Sequence, residues 1–193
     1  LMRPEAAALF AACFLMMASQ SANFIFYSIY MVENGHSKSI VGLLWSIGVV
    51  AEIAIFVSLP RLNTRFSSYF LFSLSFAVTV IRYLLVGWFP ASLTIQVIAQ
   101  SMHAFTFGTW HAAAMAMLHQ LFPAQFGTRG QALYTSFSFG VGGAIGGVFA
   151  GLAWSAIGPA WMFTAMSALA IIGWGIAFRY VRAPVSALPA NTL

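Results

Sequence analysis

Residues 103–123, HAFTFGTWHAAAMAMLHQLFP, form an apolar run that is long enough to cross a membrane and that carries three histidines. In a helix, five side chains of this region and the turns before it fall within about 60° of one another; they are Gln96, Gln100, His103, Phe107 and His111. Polar groups are costly in hydrocarbon and usually face a bundle interior or a water-filled cavity. The run therefore predicts a helix that lines a pathway through a membrane bundle.

The composition of the whole chain indicates an integral membrane protein. Of its 193 residues, 61% are hydrophobic and 6% are charged, whereas soluble domains carry about 25% charged residues. A formal net charge of +5 would suggest a nucleic-acid partner for a soluble protein, but basic residues in short loops are what membrane topology requires. We therefore expect contacts with membrane lipids and no nucleic-acid partner.

Six apolar stretches have the length of a spanning helix, which needs about 20 mostly apolar residues. Their approximate limits are 8–32, 39–59, 68–88, 93–121, 131–156 and 160–180. Basic residues accumulate in cytoplasmic loops, and six of the eight in this chain fall on one side of the predicted helices, namely Arg3, Arg61, Arg65, Arg129, Arg179 and Arg182. The sequence thus predicts an all-α membrane protein, one six-helix bundle over residues 1–193, with both termini in the cytoplasm.

Two ionisable residues lie inside predicted spans. Glu52 is near the middle of the second helix and Arg82 is in the third. An ionised carboxylate at such a position needs a partner or water, which makes Glu52 a candidate for carrying a proton. Counting about 1.5 Å of rise per residue from each helix midpoint places Arg82 at the depth of His103 and Glu52 at the depth of His111. Arg82 has the alternative of extending toward the outer interface.

Neutral polar side chains mark one face of the first helix, where Gln20, Asn23 and Tyr27 fall close together. With Gln96 and Gln100 they either line a pathway or form hydrogen bonds between helices, which contribute about 0.6 kcal/mol each. The sequence leaves both interpretations open.

Gly143, Gly147 and Gly151 repeat at four-residue spacing in the fifth helix, a pattern that favours close helix packing. The eight-residue spacing of the histidines rotates each by about 80° from the last, so one helix does not bring them to a single metal or haem. The motifs of zinc proteases and serine hydrolases do not occur in the sequence. We therefore expect neither a metal nor another cofactor, and no enzymatic activity.

Three segments resemble the second half of the major facilitator superfamily, in its 3-phenylpropionic-acid-transporter-like branch, which is related to lactose-permease-like symporters. These segments are GLLWSIGVVAEI at 42–53, HAFTFGTWHAAAMAMLHQLFP at 103–123 and RGQALYTSFSFGVGGAIGG at 129–147. The resemblance extends over nearly all of the chain. It implies that the six helices are helices 7 to 12 of a twelve-helix fold, whose N-terminal six-helix half would be the partner, in a bacterial inner membrane.

The resemblance also implies roles for residues. Lactose-permease-like symporters use a Glu on helix eight, an Arg on helix nine and a His on helix ten for substrate binding and proton coupling, and Glu52, Arg82 and His103 occupy those helices here. His111 is a rival to His103. Helix ten of this chain lacks the carboxylate that such permeases carry there, which moves the expected proton site to Glu52.

The expected function is secondary active transport, with a proton, of a small organic acid such as 3-phenylpropionate or of a sugar-like solute. In this hypothesis Glu52 and a histidine carry the proton, and six residues bind the substrate, namely Arg82, Gln20, Asn23, Tyr27, Gln96 and Gln100. The alternative is a structural or assembly subunit, whose buried polar residues only fix the packing of the helices.

Overall fold

The computed structural model describes residues 4–122 and 127–181, and within these ranges the chain is helical and contains no strand. Four of its helices are continuous, namely α1 (Pro4–Glu33), α2 (Lys38–Arg65), α3 (Ser68–Trp88) and α6 (Pro159–Tyr180). The all-α architecture expected from the sequence is confirmed.

Two further helices, α4 and α5, are interrupted by π-helical turns. In α4 the consecutive segments are Leu93–Ser101, the π-helical Ala104–Thr109 and Trp110–Leu121. In α5 they are Gly127–Tyr134, the π-helical Thr135–Gly142 and Gly143–Ile157. The sequence predicted neither interruption. Such wide turns are rare and occur frequently at functional sites.

Five helices of the described chain are long and apolar enough to cross a membrane, namely α1, α2, α3, α5 and α6. The remaining predicted span, 93–121, is α4, in which a turn at Met102 interrupts the helix before the π-helical segment. With this interrupted helix included, the structure has the six apolar helices that the sequence predicts.

The main departure in helix limits is at the end of α2, which was expected to stop near residue 59. The helix continues through Pro60 to Arg65, so the predicted loop is largely helical and carries Arg61 on its last turns. At the opposite end of the bundle, a ring nitrogen of His36 lies 2.7 Å from the carbonyl oxygen of Pro90 and joins two turns. Arg3 and Arg182, used for the orientation, lie outside the described residues.

The core has two apolar clusters with a polar layer between them. Met16, Phe72 and Trp110 belong to one cluster, and Tyr83 and Phe163 belong to the other. The layer contains fully buried polar side chains from α1, α3 and α4, namely Gln20, Asn23, Thr79, Arg82, Gln100 and Thr106. Because buried polar groups need hydrogen-bond partners, this layer is where the chemistry of the bundle is concentrated.

The outer faces of α2 and α5 are apolar and exposed in this chain. On α2 the side chains of Val50, Ile53 and Val57 are exposed, and on α5 those of Val148 and Leu152. Apolar faces of membrane helices contact either lipid or other helices. Exposed apolar side chains also occur on α6, as at Ile171 and Phe178, so α2 and α5 are two of the faces that this bundle leaves uncovered.

Candidate functional site

Two glycines allow α2 and α4 to approach closely. A Cβ atom on Gly48 would lie 3.4 Å from Oε1 of Gln100 and 3.6 Å from Cβ of His103. On the other helix, a Cβ on Gly108 would lie 3.2 Å from Cγ of Glu52. Each helix thus supplies a small residue opposite a polar side chain of its neighbour, which is how small residues act at membrane helix interfaces.

This close approach brings Glu52 and His103 together. Nε2 of His103 lies 3.8 Å from Oε2 of Glu52, and the exposed fractions of the two side chains are 6% and 18% respectively. The depth count from the sequence paired Glu52 with His111 instead, and that pairing is wrong. It assumed straight helices, whereas α4 is interrupted at Met102 and widens into a π-helical turn.

Aromatic rings surround the imidazole of His103. The ring of Phe107 is nearly parallel to it with centroids 5.5 Å apart, and the ring of Phe24 meets it edge-on at 6.2 Å. Trp45 stacks on Phe24 at 6.4 Å. Stacked and edge-on contacts of this kind are the favoured arrangements of aromatic rings. The pair of ionisable residues therefore lies beside a wall of aromatic rings contributed by α1, α2 and α4.

Arg82 is fully buried and bonded to neutral groups. Its Nε donates to the carbonyl oxygen of Ala99 at 2.8 Å, and Nη1 donates to the Thr106 hydroxyl at 3.2 Å. Its Nη2 donates to Oδ1 of Asn23 and to Oε1 of Gln100, each at 3.2 Å. The side chain therefore does not extend to the interface, and its position ties α3 to α1 and α4.

The charge of Arg82 has no carboxylate partner within 4.0 Å in the part of the chain that the structure describes. The hydroxyl of Thr106, which accepts from Arg82, donates in turn to the carbonyl oxygen of His103 at 3.3 Å. A direct bridge between Arg82 and Glu52 is not formed. Hydrogen-bonded neutral groups thus separate the cation from the Glu52 and His103 pair.

Gln20, Tyr27 and Gln96 are also fully buried, and their polar groups bond within the chain. Nε2 of Gln20 donates to the carbonyl oxygen of Thr106 at 2.8 Å, and its Oε1 accepts from the Tyr83 hydroxyl at 2.6 Å. The Tyr27 hydroxyl donates to Oε1 of Gln96 at 3.3 Å, and Nε2 of Gln96 donates to the Phe89 carbonyl oxygen at 3.0 Å. These contacts are the interhelical bonds that the sequence left as one of two interpretations.

His111 belongs to an aromatic cluster between α4 and α5 that shares Phe107 with the rings around His103. Its Nδ1 lies 3.1 Å from the hydroxyl of Tyr134, and four rings lie with centroids 5.8–6.4 Å from its own, those of Phe107, Trp110, Tyr134 and Phe139. The structure therefore brings Glu52 to His103 and leaves His111 with a tyrosine.

A metal site is not indicated in the described residues, which contain no group of three His, Cys, Asp or Glu side chains able to hold an ion. Nε2 of His119 lies 3.1 Å from Nε2 of Gln131, away from the two other histidines of α4. The three histidines accordingly have three different partners, which are Glu52, Tyr134 and Gln131.

The glycine contacts on α5 differ in register from those expected. A Cβ on Gly143 would meet open space, while one on Gly147 would lie 2.8 Å from Cδ1 of Ile25 and one on Gly151 would lie 3.6 Å from Phe26. The tightest contact is instead at Gly146, where an added Cβ would overlap the backbone of Ala18. All of these glycines lie in the regular α-helical segment Gly143–Ile157, so the difference comes from the face of that segment that meets α1, which spacing alone does not identify.

Three polar residues of the site were missed in the sequence. Tyr83, Thr106 and Tyr134 bond to Gln20, Arg82 and His111 respectively. Tyr83 directly follows Arg82, and Thr106 lies three residues after His103, so both are close in sequence to residues that had been selected. Tyr134 lies in the segment 129–147 that carries the family resemblance, but nothing in that segment indicated a contact with His111.

Comparison with known proteins gives two matches. The model of the MFS_1 like family matches residues 1–165. The chain is also 35% identical over 153 residues to a probable 3-phenylpropionic acid transporter of Escherichia coli (strain K12). That alignment covers 77% of this chain and 39% of the relative, so the chain spans less than half of the length of the curated protein it matches. No solved structure gives a significant match.

Proposed function

Because the chain belongs to the MFS_1 like family of the major facilitator superfamily, we propose that it is the C-terminal six-helix half of a proton-coupled transporter. Family membership supports a multi-pass membrane protein that moves a solute and is not an enzyme. The partner in this proposal is an N-terminal six-helix half, packed against the exposed apolar faces of α2 and α5. Both termini lie on the cytoplasmic side of a bacterial inner membrane, as the arginines at one end of the bundle favour.

The observation that carries the proposal is the pairing of Glu52 with His103 inside membrane-spanning helices. Ionisable residues at such depth are costly and commonly mark substrate or proton pathways. Glu52 is the more exposed of the two, and we assign it the binding and release of the proton. The 3.8 Å separation exceeds hydrogen-bond distance, so transfer to His103 needs a small approach of the two helices or a bridging water.

The substrate class in this proposal is a small organic acid with an aromatic ring, as in the name of the Escherichia coli relative. Phe24, Trp45 and Phe107 form the aromatic wall beside the Glu52 and His103 pair. Phe24 is 42% exposed in this chain, which makes it available for stacking on a substrate ring. Alternating access requires two bundles that move around a central site, so the wall would be one side of that site.

The test is uptake of labelled 3-phenylpropionate into proteoliposomes under an imposed inward proton gradient. The chain joined to a matching N-terminal six-helix half is compared with the chain alone, and we expect uptake only in the joined protein. In that protein, Glu52→Gln should abolish accumulation driven by the gradient while exchange of substrate across the membrane continues. The control is Glu33→Gln, which removes a carboxylate from the exposed end of α1 and should leave accumulation unchanged.

Gradient-driven accumulation by the Glu52→Gln protein at the unsubstituted rate would show that the proton is carried elsewhere. Uptake by the chain alone would contradict the assignment as one half and indicate self-assembly. An absence of uptake of 3-phenylpropionate, of other aromatic acids and of sugars by the joined protein would overturn the transport proposal.

A structural role is a second candidate for part of the polar layer. It is favoured by the complete burial of Gln20 and Gln96 and by the bonds that both make within the chain. If these residues only fix helix packing, Gln96→Met should lower the stability of the bundle without changing the affinity of the folded protein for its substrate. Measurement of unfolding and of substrate binding on the same preparation separates the two roles.

A further inference from the structure

Two buried amide groups beside Arg82 have donors that the protein does not use. A guanidinium can only donate hydrogen bonds, so the amide oxygens of Asn23 and Gln100 must face Arg82, as they do at 3.2 Å. The NH₂ groups of both residues necessarily point away from the cation. Within the described residues, Nδ2 of Asn23 and Nε2 of Gln100 have no hydrogen-bond partner within 3.5 Å, although both side chains are fully buried and the Tyr27 hydroxyl lies near Gln100.

Nδ1 of His103 is a third buried nitrogen without a partner among the described residues. Buried polar atoms are bonded in the great majority of cases, and each exception calls for a specific explanation. Gln100 lies one helical turn before His103 on α4, and Asn23 directly precedes Phe24, whose ring contacts that of His103. Asn23 and Gln100 thus meet at Nη2 of Arg82, and Gln100 and His103 both lie opposite Gly48 of α2.

Arg82 supplies a positive charge behind these amides. Its four hydrogen bonds go to neutral acceptors, so the guanidinium is held in place but its charge is not neutralised. In a low-dielectric interior, a hydrogen bond to a cation polarises the accepting amide and strengthens the NH₂ group on its other side as a donor. The positive charge of Arg82 therefore makes the NH₂ groups of Asn23 and Gln100 stronger hydrogen-bond donors.

We propose that the NH₂ groups of Asn23 and Gln100 bind the carboxylate oxygens of the transported acid, with Nδ1 of His103 as a third contact. Arg82 is then a positioning residue, which orients both amides and contributes charge without contacting the substrate. The identity of the acid rests on the proposed function, whereas the binding of a carboxylate at these amides does not. A carboxylate accepts from two donors at once, which matches two amides held on one cation.

The aromatic wall fits the remainder of such a ligand. Phe24 follows Asn23 in α1, and Trp45 stacks on it, so a ring attached to the bound carboxylate by a short chain would lie against these side chains. Ligand sites commonly combine an apolar lining with a few placed polar groups. An aromatic acid has this division into a charged end and an apolar end.

The experiment compares acids with their uncharged amides. Binding of 3-phenylpropionate, benzoate and acetate, each against the corresponding amide, is measured by calorimetry on the protein in lipid nanodiscs, both alone and joined to the N-terminal half. Gln100→Glu and Asn23→Asp are nearly isosteric and place a carboxylate beside Arg82 in place of an NH₂ donor. Gln131→Glu makes the same change of charge on α5, outside the site, and is the matched control.

We expect the unsubstituted protein and Gln131→Glu to prefer at least one acid over its amide. In Gln100→Glu and in Asn23→Asp, that preference should fall about tenfold or more, as expected for replacing a donor to a charged group by a like charge. Binding of the uncharged amide should change less than about threefold, because its ring contacts remain. A structural role for the two amides would leave the ratio of acid to amide affinity unchanged.

The inference is overturned if the unsubstituted protein prefers none of the three acids over its amide, or if folded Gln100→Glu and Asn23→Asp keep the preference. Should neither variant fold, the carboxylate stretch of ¹³C-labelled 3-phenylpropionate bound to the unsubstituted protein decides the question by infrared spectroscopy. A frequency shifted from that in water supports donation by the amides, and an unshifted one refutes it. If the protein meets these criteria for acid binding and yet shows no proton-driven uptake, that result supports the inference and contradicts the proposed function.

Discussion

Alanine substitution at Gly146 tests the tight contact between α1 and α5. An added Cβ at Gly146 would overlap the backbone of Ala18, which cannot move aside as a flexible side chain can. At Gly143, three residues earlier, no atom of another helix lies within 4 Å of the place that a Cβ would take. The two glycines therefore offer a matched pair of substitutions with opposite expected effects.

The magnitude follows from three contributions. Alanine gains about 1 kcal/mol over glycine inside a helix at either position. At Gly146 overpacking costs about 3 kcal/mol, the upper part of the usual range, because the obstruction is backbone. Separation of the helices also breaks the 2.9 Å hydrogen bond from Ser21 Oγ to the Gly143 carbonyl oxygen, worth about 0.6 kcal/mol. We expect Gly146→Ala to destabilise by about 2–3 kcal/mol and Gly143→Ala to stabilise by about 1 kcal/mol.

The free energy of unfolding is measured by titration with sodium dodecyl sulfate in mixed micelles, with circular dichroism as the signal. The unsubstituted chain, Gly143→Ala and Gly146→Ala are compared under one lipid composition. A difference between the two variants of less than about 0.5 kcal/mol, well inside the expected separation, would refute the contact at Gly146. If Gly143→Ala lowered the free energy of unfolding more than Gly146→Ala, the close packing at Gly143 that the sequence suggested would be supported instead.

Three further predictions concern the polar layer. In the protein joined to an N-terminal half, His103→Gln should abolish proton-driven accumulation in the proteoliposome assay, because His103 faces the Glu52 carboxylate. His111→Gln should retain accumulation, because His111 contacts Tyr134 instead. Equal losses in the two variants would contradict the pairing of Glu52 with His103. Gly108→Ala should slow accumulation, because the added Cβ would lie 3.2 Å from Cγ of Glu52 and displace that side chain. Gly48→Ala, with ordinary contacts of 3.4–3.6 Å, should be tolerated; the reverse order would refute the geometry. Arg82→Lys keeps the positive charge, but a lysine cannot bond to all four acceptors of Arg82. Unfolding titrations should therefore show a free energy of unfolding lower by about 1–3 kcal/mol, and an unchanged value would contradict a stabilising role for these hydrogen bonds.

The membrane spans were predictable because their signal is composition over about 20 residues. The exact helix limits and the irregular turns within the helices were not predictable. Pro60 was interpreted as the end of a helix, yet α2 accommodates it and continues to Arg65, as membrane helices often do. The π-helical turns in α4 and α5 could not be predicted from a periodicity counted at 100° per residue. Such a count assumes a uniform α-helix, whereas a π-helical turn changes the rotation from one residue to the next.

The polar faces were predictable, but the partners of each residue were not. Periodicity grouped Gln96, Gln100 and His103 on one side of α4, and the structure buries all three. It could not reveal that Arg82 from another helix would bond to Gln100, or that Glu52 would meet His103 and not His111. Those outcomes depend on helix tilt, on the interruption of α4 and on the glycines that set the distance between α2 and α4.

If the proposed function holds, the arrangement of charges would give a physical reason for coupling a proton to an acid. Glu52 and Arg82 are the acidic and the basic side chain that the described helices carry away from their ends, and hydrogen-bonded neutral groups separate them. When Glu52 is ionised, its negative charge offsets that of Arg82, and no net charge attracts a second carboxylate. When Glu52 takes up a proton, Arg82 leaves the layer with one net positive charge, which favours the entry of an anion at the amides of Asn23 and Gln100. Linkage is reciprocal, so an acid bound at the proposed site would raise the affinity of Glu52 for its proton by the same factor, which is the coupling that the proposed symport requires.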